Sequence, residues 1–308
     1  MSQFLNLDSA ESAFFARELE YIKSKTYDLI YPAFAIRDHV PVSHEAGTGA
    51  LSITYYQYTR SGLVKLISNY ADDLPRSDVY GQKFTSPVES IAGSYGYNIQ
   101  EIRSSAMSKH ARLPQRKANA TRENFEERVD YIGCFGDAQT GLGGFLNNAN
   151  VPITTLTNGA GGDEEWRLKT PDEIISDLSG AQGATRLATK GREIMDTLLV
   201  PDRTYTHLAS TPRSSTSDTT IIKYLLNAIP NLKSVVGWWR LATAGASSVG
   251  RGVYYSKNPD KVTLEIPQEF EQLRVQEKNL EFVVPVHGRI GGTIFYYPLS
   301  ARYIDKID

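Results

Sequence analysis

Residues 113–148 read LPQRKANATRENFEERVDYIGCFGDAQTGLGGFLNN, a charged run that halts in a cluster of glycines. Pro114 suits a first helical turn, where its missing N–H is not needed. From Arg116 to Phe135 no proline and no glycine before Gly133 interrupts the pattern, so about 20 residues, ~30 Å, can run as one helix. Its apolar stripe is thin: Ala118, Phe125, Val129 and Ile132. Arg116, Lys117, Arg122, Glu123, Glu126, Glu127, Arg128 and Asp130 occupy the rest. A helix buried in a compact core carries an apolar face at least ~100° wide. This one is suited to lying along a surface or a seam. The glycines of 133–144 then let the chain turn without steric cost.

The order of parts resembles the spine helix and following turn of the major capsid proteins of tailed phages, the Hong Kong-type shell fold. Relatives read G-D-x-x-x-G-x-x-G, an apolar residue, L-N after that helix; Gly136, Asp137, Gly141, Gly144, Phe145, Leu146 and Asn147 stand in those places. The ending, EFVVPVHGRIGGTIFYYPLSARYID (Glu281 to Asp305), resembles the family's closing strands. The resemblance extends from roughly Glu18 to Ile307 and is nearest a subgroup with short N-terminal arms. It implies an α+β, two-lobed fold with a long spine helix, an extended N-terminal arm and a projecting β-hairpin loop.

Composition sets the outer bounds. A chain of 308 residues holds one large or two modest domains. A net charge of −2 argues against a nucleic-acid clamp. A single cysteine, Cys134, leaves no internal disulfide and no multi-cysteine metal site, and fits a reducing cytosol. The first residues lack the basic and apolar regions of a signal peptide. No run of about 18 apolar residues exists to span a membrane. The unusual count is 18 tyrosines, a residue enriched where protein surfaces meet.

Residues 1–50 read as an N-terminal arm. Phe14, Phe15, Leu19 and Ile22 recur at helical spacing between Ser9 and Lys25. Tyr31 to Val42, marked by Pro32 and Pro41, is expected to be extended and free to wrap a neighbour. Residues 51–85 read as a hairpin, Leu51–Thr59 against Leu63–Asn69 around Arg60-Ser61-Gly62, followed by an irregular stretch from Tyr70 to Phe84. Tyr55, Tyr56 and Tyr58 fall on both its faces. An isolated two-stranded ribbon is marginal in water and its edges invite pairing. The residues alone allow a hairpin on the chain's own sheet; the resemblance implies a loop laid over an adjacent subunit.

The peripheral lobe is expected from 86–150 and 261–308, with strand Val88–Ile99 and helix Glu101–Lys109 before the spine helix. The axial lobe is expected from 151–260. There Thr170-Pro171-Asp172-Glu173 is a helix start with cap, N1 proline and two acids. Strand Thr197–Val200, helices near Pro201–Ala209 and Thr219–Ala228, and strands Ser234–Trp238 and Val253–Ser256 follow. In Lys261–Ile266, Val262, Leu264 and Ile266 alternate with Lys261, Thr263 and Glu265, which predicts one buried and one solvated face. The loops near Asn158–Glu164 and Ala242–Gly252 are candidates for ringing a symmetry axis.

No catalytic constellation emerges. His39, His44, His110, His207 and His287 form no HxH or HExxH, so no metal or cofactor site is expected. There is no G-x-S-x-G elbow, and Gly141–Gly144 follows a helix rather than a strand, unlike a dinucleotide fingerprint. Asp72-Asp73, and Glu269 with Glu271, read as solvated carboxylates rather than acid/base pairs. Cys134 reads as a small buried residue. Arg251-Gly252 and the cluster Lys109, Arg112, Arg116, Lys117 form a weak charge patch, read as intersubunit pairs or a solvated face.

The expected function is a non-enzymatic shell subunit forming hexamers and pentamers around phage double-stranded DNA, in a virion assembled in the host cytoplasm. Candidate intersubunit residues are Tyr31, Tyr55, Tyr56, Tyr58, Arg60, Lys65, Arg116, Arg122 and Glu126. Expected partners are other copies, a portal, a separate scaffolding protein, decoration proteins and DNA held by weak contact, with no membrane. No N-terminal scaffolding segment is expected to be cleaved from this chain. Some relatives crosslink a hairpin lysine to a neighbour; Lys65 and Lys83 match no such motif. The alternatives are a bacterial nanocompartment shell of the same fold and, more distantly, a monomeric cytosolic enzyme.

Overall fold

The structure is a computed structural model that describes residues 32–67, 74–107, 113–214 and 216–308. The helix expected between Ser9 and Lys25, and Tyr31, lie outside the described residues. The charged run forms one helix, Leu113–Phe135. We number elements in chain order: α1 Ile36–His39, β1 Val42–Ser43, β2 Ser52–Ser61, β3 Asp78–Pro87, β4 Glu89–Asn98, α2 Ile99–Met107 and the spine helix α3. After it come β5 Ile153–Thr154, α4 Pro171–Ala188, β6 Thr197–Val200, α5 Asp202–Ser210, β7 Pro212–Ser214, β8 Ser217–Thr220, α6 Ile221–Ala228 and β9 Ser234–Gly237. The closing strands are β10 Arg251–Tyr255, β11 Val262–Glu265, β12 Gln268–Gln272, β13 Gln276–Lys278, β14 Glu281–Ile290, β15 Gly292–Phe295 and β16 Ala301–Asp305.

The glycine motif after α3 exists because the chain doubles back to cap its own helix. A helix ends with carbonyls that lack partners. Phe145 N–H donates to the Gly133 carbonyl (2.9 Å), Leu146 N–H to Cys134 (2.8 Å), and the Asn147 amide to Phe135 (2.6 Å). Gly136 turns at φ +68°, and a Cβ on Gly144 would stand 2.4 Å from the Phe135 backbone. Phe145 and Leu146, thereby aimed inward, are wholly buried, Phe145 stacking on Phe295 at 5.7 Å. The start of α4 holds a capping box: Glu173 accepts the Thr170 N–H (2.8 Å), and the Thr170 hydroxyl lies 2.8 Å from the same carboxylate.

A five-stranded sheet, in the order β5-β16-β10-β6-β9, stands between two cores. Leu199, Val253, Tyr255 and Tyr303 face one core with Val129, Ile132 and Phe145. Leu198, Val200, Tyr254 and Ile304 face the other with Trp166, Ile174, Leu178 and Leu225 from the helices. Burial on both faces explains why TLLV and RGVYY carry no polar alternation. The closing strand β16 is a member of this sheet, pairing with β10, and its Tyr303 reaches the core of the spine helix while its Ile304 faces the other.

A second sheet centres on the ten-residue β14, with β4 on one edge and β12 and β13 on the other. The spine helix packs on it where Gly288 admits the Phe125 ring; a Cβ there would meet Phe125 Cζ at 2.3 Å. The third sheet is β1-β11-β15. Here the expected solvated face of β11 is overturned: Thr263 and Glu265 are buried, because β11 is flanked on both edges and covered by the hairpin base. Glu265 accepts hydrogen bonds from the hydroxyls of Thr263 (2.7 Å) and Tyr296 (3.1 Å).

Two expectations about the N-terminal half change. Residues 32–43 do not form a free extended arm. They contain the turn α1 and the strand β1, parallel to β11, and place Ile36 and Val40 in the core. The hairpin's second strand is β3, not Leu63–Asn69. Ser52 pairs with Pro87 and Ser61 with Asp78, so the tight turn at 60–62 is replaced by a connection of residues 62–77.

Candidate assembly surfaces

The hairpin divides in two. Up to Gln57 its residues alternate: Ile53, Tyr55 and Gln57 turn to the body, while Ser52, Thr54 and Tyr56 face out. Tyr55 stacks on Phe84 at 5.2 Å and meets Tyr296 edge-on at 4.9 Å, and the Gln57 amide donates to the Tyr296 carbonyl. From Tyr58 onward both faces are exposed, as are Asp78 to Lys83 opposite. The ribbon therefore leaves the body after the Gln57–Gln82 pair. Tyr58 lies over Gly81, filling the space a side chain would take. Gly62, at φ +135°, ends the ladder where a Cβ would collide with Ser77 Cα at 2.6 Å.

This projecting part is apolar out of proportion to its exposure. Tyr56, Tyr58, Leu63, Val64, Leu66, Ile67, Leu74, Val79 and Tyr80 are all exposed, Val64 at 94% and Leu66 at 103% of its full surface. Contiguous apolar patches of a few hundred Å² mark interaction sites on soluble proteins. LVKLISN reads as a strand because it is apolar and follows the turn signal at 60–62, yet residues 63–67 are in no ladder. That they point to solvent is a feature the sequence concealed.

The structure places the other candidate residues unevenly. Tyr55 is spent on the chain's own body, whereas Tyr56, Tyr58, Arg60 and Lys65 are exposed on the ribbon and its tip. Arg116 and Arg122 are exposed on the spine helix. Glu126 is partly covered and pairs with Arg37 at 3.1 Å, and Arg37 also grips Glu269 with two bonds of 2.7 and 2.9 Å. That grip, chiefly its hydrogen bond, holds the Glu269 carboxyl below its ordinary range. Lys117 pairs with Glu101 at 2.8 Å. Lys109 and Arg112 lie outside the described residues.

Charged residues read as surface features prove structural. Asp130, 1% exposed, accepts the Ile36 N–H (3.0 Å) and pairs with Arg240 Nε (2.6 Å), joining α1, α3 and the segment after β9. Arg251 is buried, not part of a charge patch. It holds both Asp305 oxygens (2.6 and 2.8 Å), donates to the Leu146 carbonyl and lies over the Tyr303 ring at 4.5 Å. Cys134 is buried and desolvation raises its thiol pKa. Among the described residues no group of three His, Cys, Asp or Glu side chains could hold a metal ion, and no helix is long and apolar enough to cross a membrane.

The sequence from residue 62 to 307 matches the major capsid protein family. The chain belongs to that family. The fold agrees with it throughout. The capsid of Myoviridae phage XM1 superposes with a TM-score of 0.81 at 18% identity, covering 95% of this chain and 98% of that one. The capsid of an empty GTA particle gives 0.65 at 14% identity, over 98% and 100% of the two chains. Mycobacterium phage Ogopogo gives 0.63 at 12%, over 96% and 98%. Comparison with curated protein sequences finds no match. The architecture is the Hong Kong-type shell fold, and the protein is a capsid shell subunit of the bacteriophage type; the nanocompartment alternative is not favoured.

Proposed function

We propose that this capsid protein closes hexamers and pentamers of an icosahedral shell around double-stranded DNA, each copy laying its hairpin over an adjacent copy. The observation that carries the overlap is the ribbon beyond Gln57, whose apolar side chains nothing among the described residues covers. A free subunit would hold that surface in water; repeated around a closed ring, each copy covers its neighbour's. Within the ring, residues 151–260 with β16 form the axial lobe and their exposed loops at 158–163 and 246–248 line the axis. The spine helix and the β14 sheet form the peripheral lobe. Tyr56, Tyr58, Arg60 and Lys65 contact the neighbour from the hairpin, and Arg116 and Arg122 from the spine helix.

The role is structural rather than catalytic. A chain of net charge −2 holds packaged DNA without clasping it, since phosphate affinity scales with basic contacts. A portal, a separate scaffolding protein and decoration proteins complete the particle, which assembles in the host cytoplasm. Sedimentation and electron microscopy of the expressed full chain test this: megadalton icosahedral particles are expected, and a species that stays at 34.2 kDa under all assembly conditions refutes it.

A further inference from the structure

Resting on that overlap, we infer that the hairpin's tip is received by a specific groove on the next copy: an aromatic, acidic cleft at the base of that copy's own hairpin, which takes Arg60 and Arg76 of its neighbour. The groove encloses about 510 Å³ between the hairpin base and the body. Its walls include Tyr55, Tyr56, Tyr296 and Tyr297, with Glu45 and Asp260 at its margin. Both carboxylates are exposed and neither has an ion-pair partner among the described residues. Its histidine, His44, is already engaged, with Nδ1 2.7 Å from the Ile266 carbonyl and Nε2 3.7 Å from Glu269.

Tyrosine rings beside carboxylates make a site for a cation, since ring faces and carboxylates both attract positive charge. They repel a phosphate backbone. The tip supplies the cations: Arg60, Lys65 and Arg76 stand in a segment that also holds Asp72, Asp73 and Asp78, and Arg60 and Arg76 lack ion-pair partners among the described residues. This chain's own tip cannot fill its own groove. The ladder stays paired through Arg60–Val79 and Ser61–Asp78, and at ~3.4 Å per residue it carries Arg60 about 10 Å beyond Gln57. Lys83, opposite Tyr56 on the same ribbon, makes no ion pair with either carboxylate. Donor and acceptor thus lie on different parts of one surface, the head-to-tail geometry that generates rings.

Charge reversal of the full chain tests the pairing. R60E/R76E and E45K/D260K each remove attraction and add repulsion at exposed positions, so the melting temperature of the unassembled subunit is expected to stay unchanged. Each is expected to raise the protein concentration required for particles by about tenfold or more. The four-residue swap restores complementarity and is expected to recover most of that loss. Unchanged assembly in both reversed variants overturns the inference, and so does loss in both without recovery in the swap. A chain with residues 62–77 replaced by a short turn separates the two levels: if it assembles normally, the hairpin overlap itself is wrong, whatever the charge variants do.

Discussion

Replacing Asp130 is the sharpest test of how this fold holds its N-terminal segment. Asp130 is a buried carboxylate with one oxygen on the Ile36 N–H and the other 2.6 Å from Arg240 Nε, whose side chain is itself largely covered. Asp130→Ala leaves a guanidinium buried without its partner, which costs about 3–5 kcal/mol, and orphans an N–H worth about 1–3 kcal/mol. The two losses share one site and do not add fully; about 4–5 kcal/mol is expected, a large part of a typical 5–15 kcal/mol stability. Asp130→Asn can retain the bond from Ile36 and should cost less, about 2–3 kcal/mol. In D130A/R240M no charge is stranded, so the double variant should lie closer to wild type than D130A does. Urea unfolding of the unassembled subunit gives these differences, and amide exchange at Val40, bonded to the Ile36 carbonyl, reports whether α1 frays first. A D130A cost under about 1.5 kcal/mol, or a double variant as unstable as the two singles summed, refutes the reasoning.

Other outcomes follow from single contacts. Gly288→Ala drives a methyl into the Phe125 ring and should cost about 1–3 kcal/mol by urea unfolding, with partial recovery in G288A/F125L; an unaffected midpoint contradicts the packing described. His39, buried against Trp238 with its ring centroid 4.6 Å away, has its pKa lowered to about 4 by burial, with Lys257 adding to the effect. The unfolded chain therefore binds a proton near pH 6.5 that the folded chain refuses, and stability should fall as pH drops from about 6.5 through 4, by up to ~3 kcal/mol. His39→Gln should flatten that part of the pH profile. Leu66→Asp, at a fully exposed tip position, should leave subunit melting unchanged within ~0.5 kcal/mol yet reduce particle yield; loss of subunit stability instead would show that the tip packs on its own body.

How far the sequence reaches is clearest where local chemistry is self-sufficient. The spine helix was legible because nothing between Arg116 and Phe135 breaks it, and the motif through Asn147 because its hydrogen bonds close within a dozen residues. The capping box at Thr170–Glu173 and strand Thr197–Val200 are local in the same sense. The tightest turn signal, Arg60-Ser61-Gly62, misled: Gly62 does adopt positive φ, but it releases the chain into the tip instead of returning it. Which strand pairs with β2 was settled 26 residues from its start, by the packing of Tyr55, Phe84 and Tyr296.

Side-chain pattern determined the spine helix, the helix at Pro171–Ala188 and strands such as Thr197–Val200; only the tertiary structure determined the hairpin's second strand and how many faces of each element are covered. Asp130 carries the same sequence signal as Glu127, yet one is buried against Arg240 and the other lies in solvent. Thr263 and Glu265 alternate like a solvated face and are covered by a hairpin base distant in the chain. Leu63, Val64 and Leu66 look like core and stand in water. Burial depends on what arrives from elsewhere in the chain, or from another copy of it, and no local window of sequence contains that information.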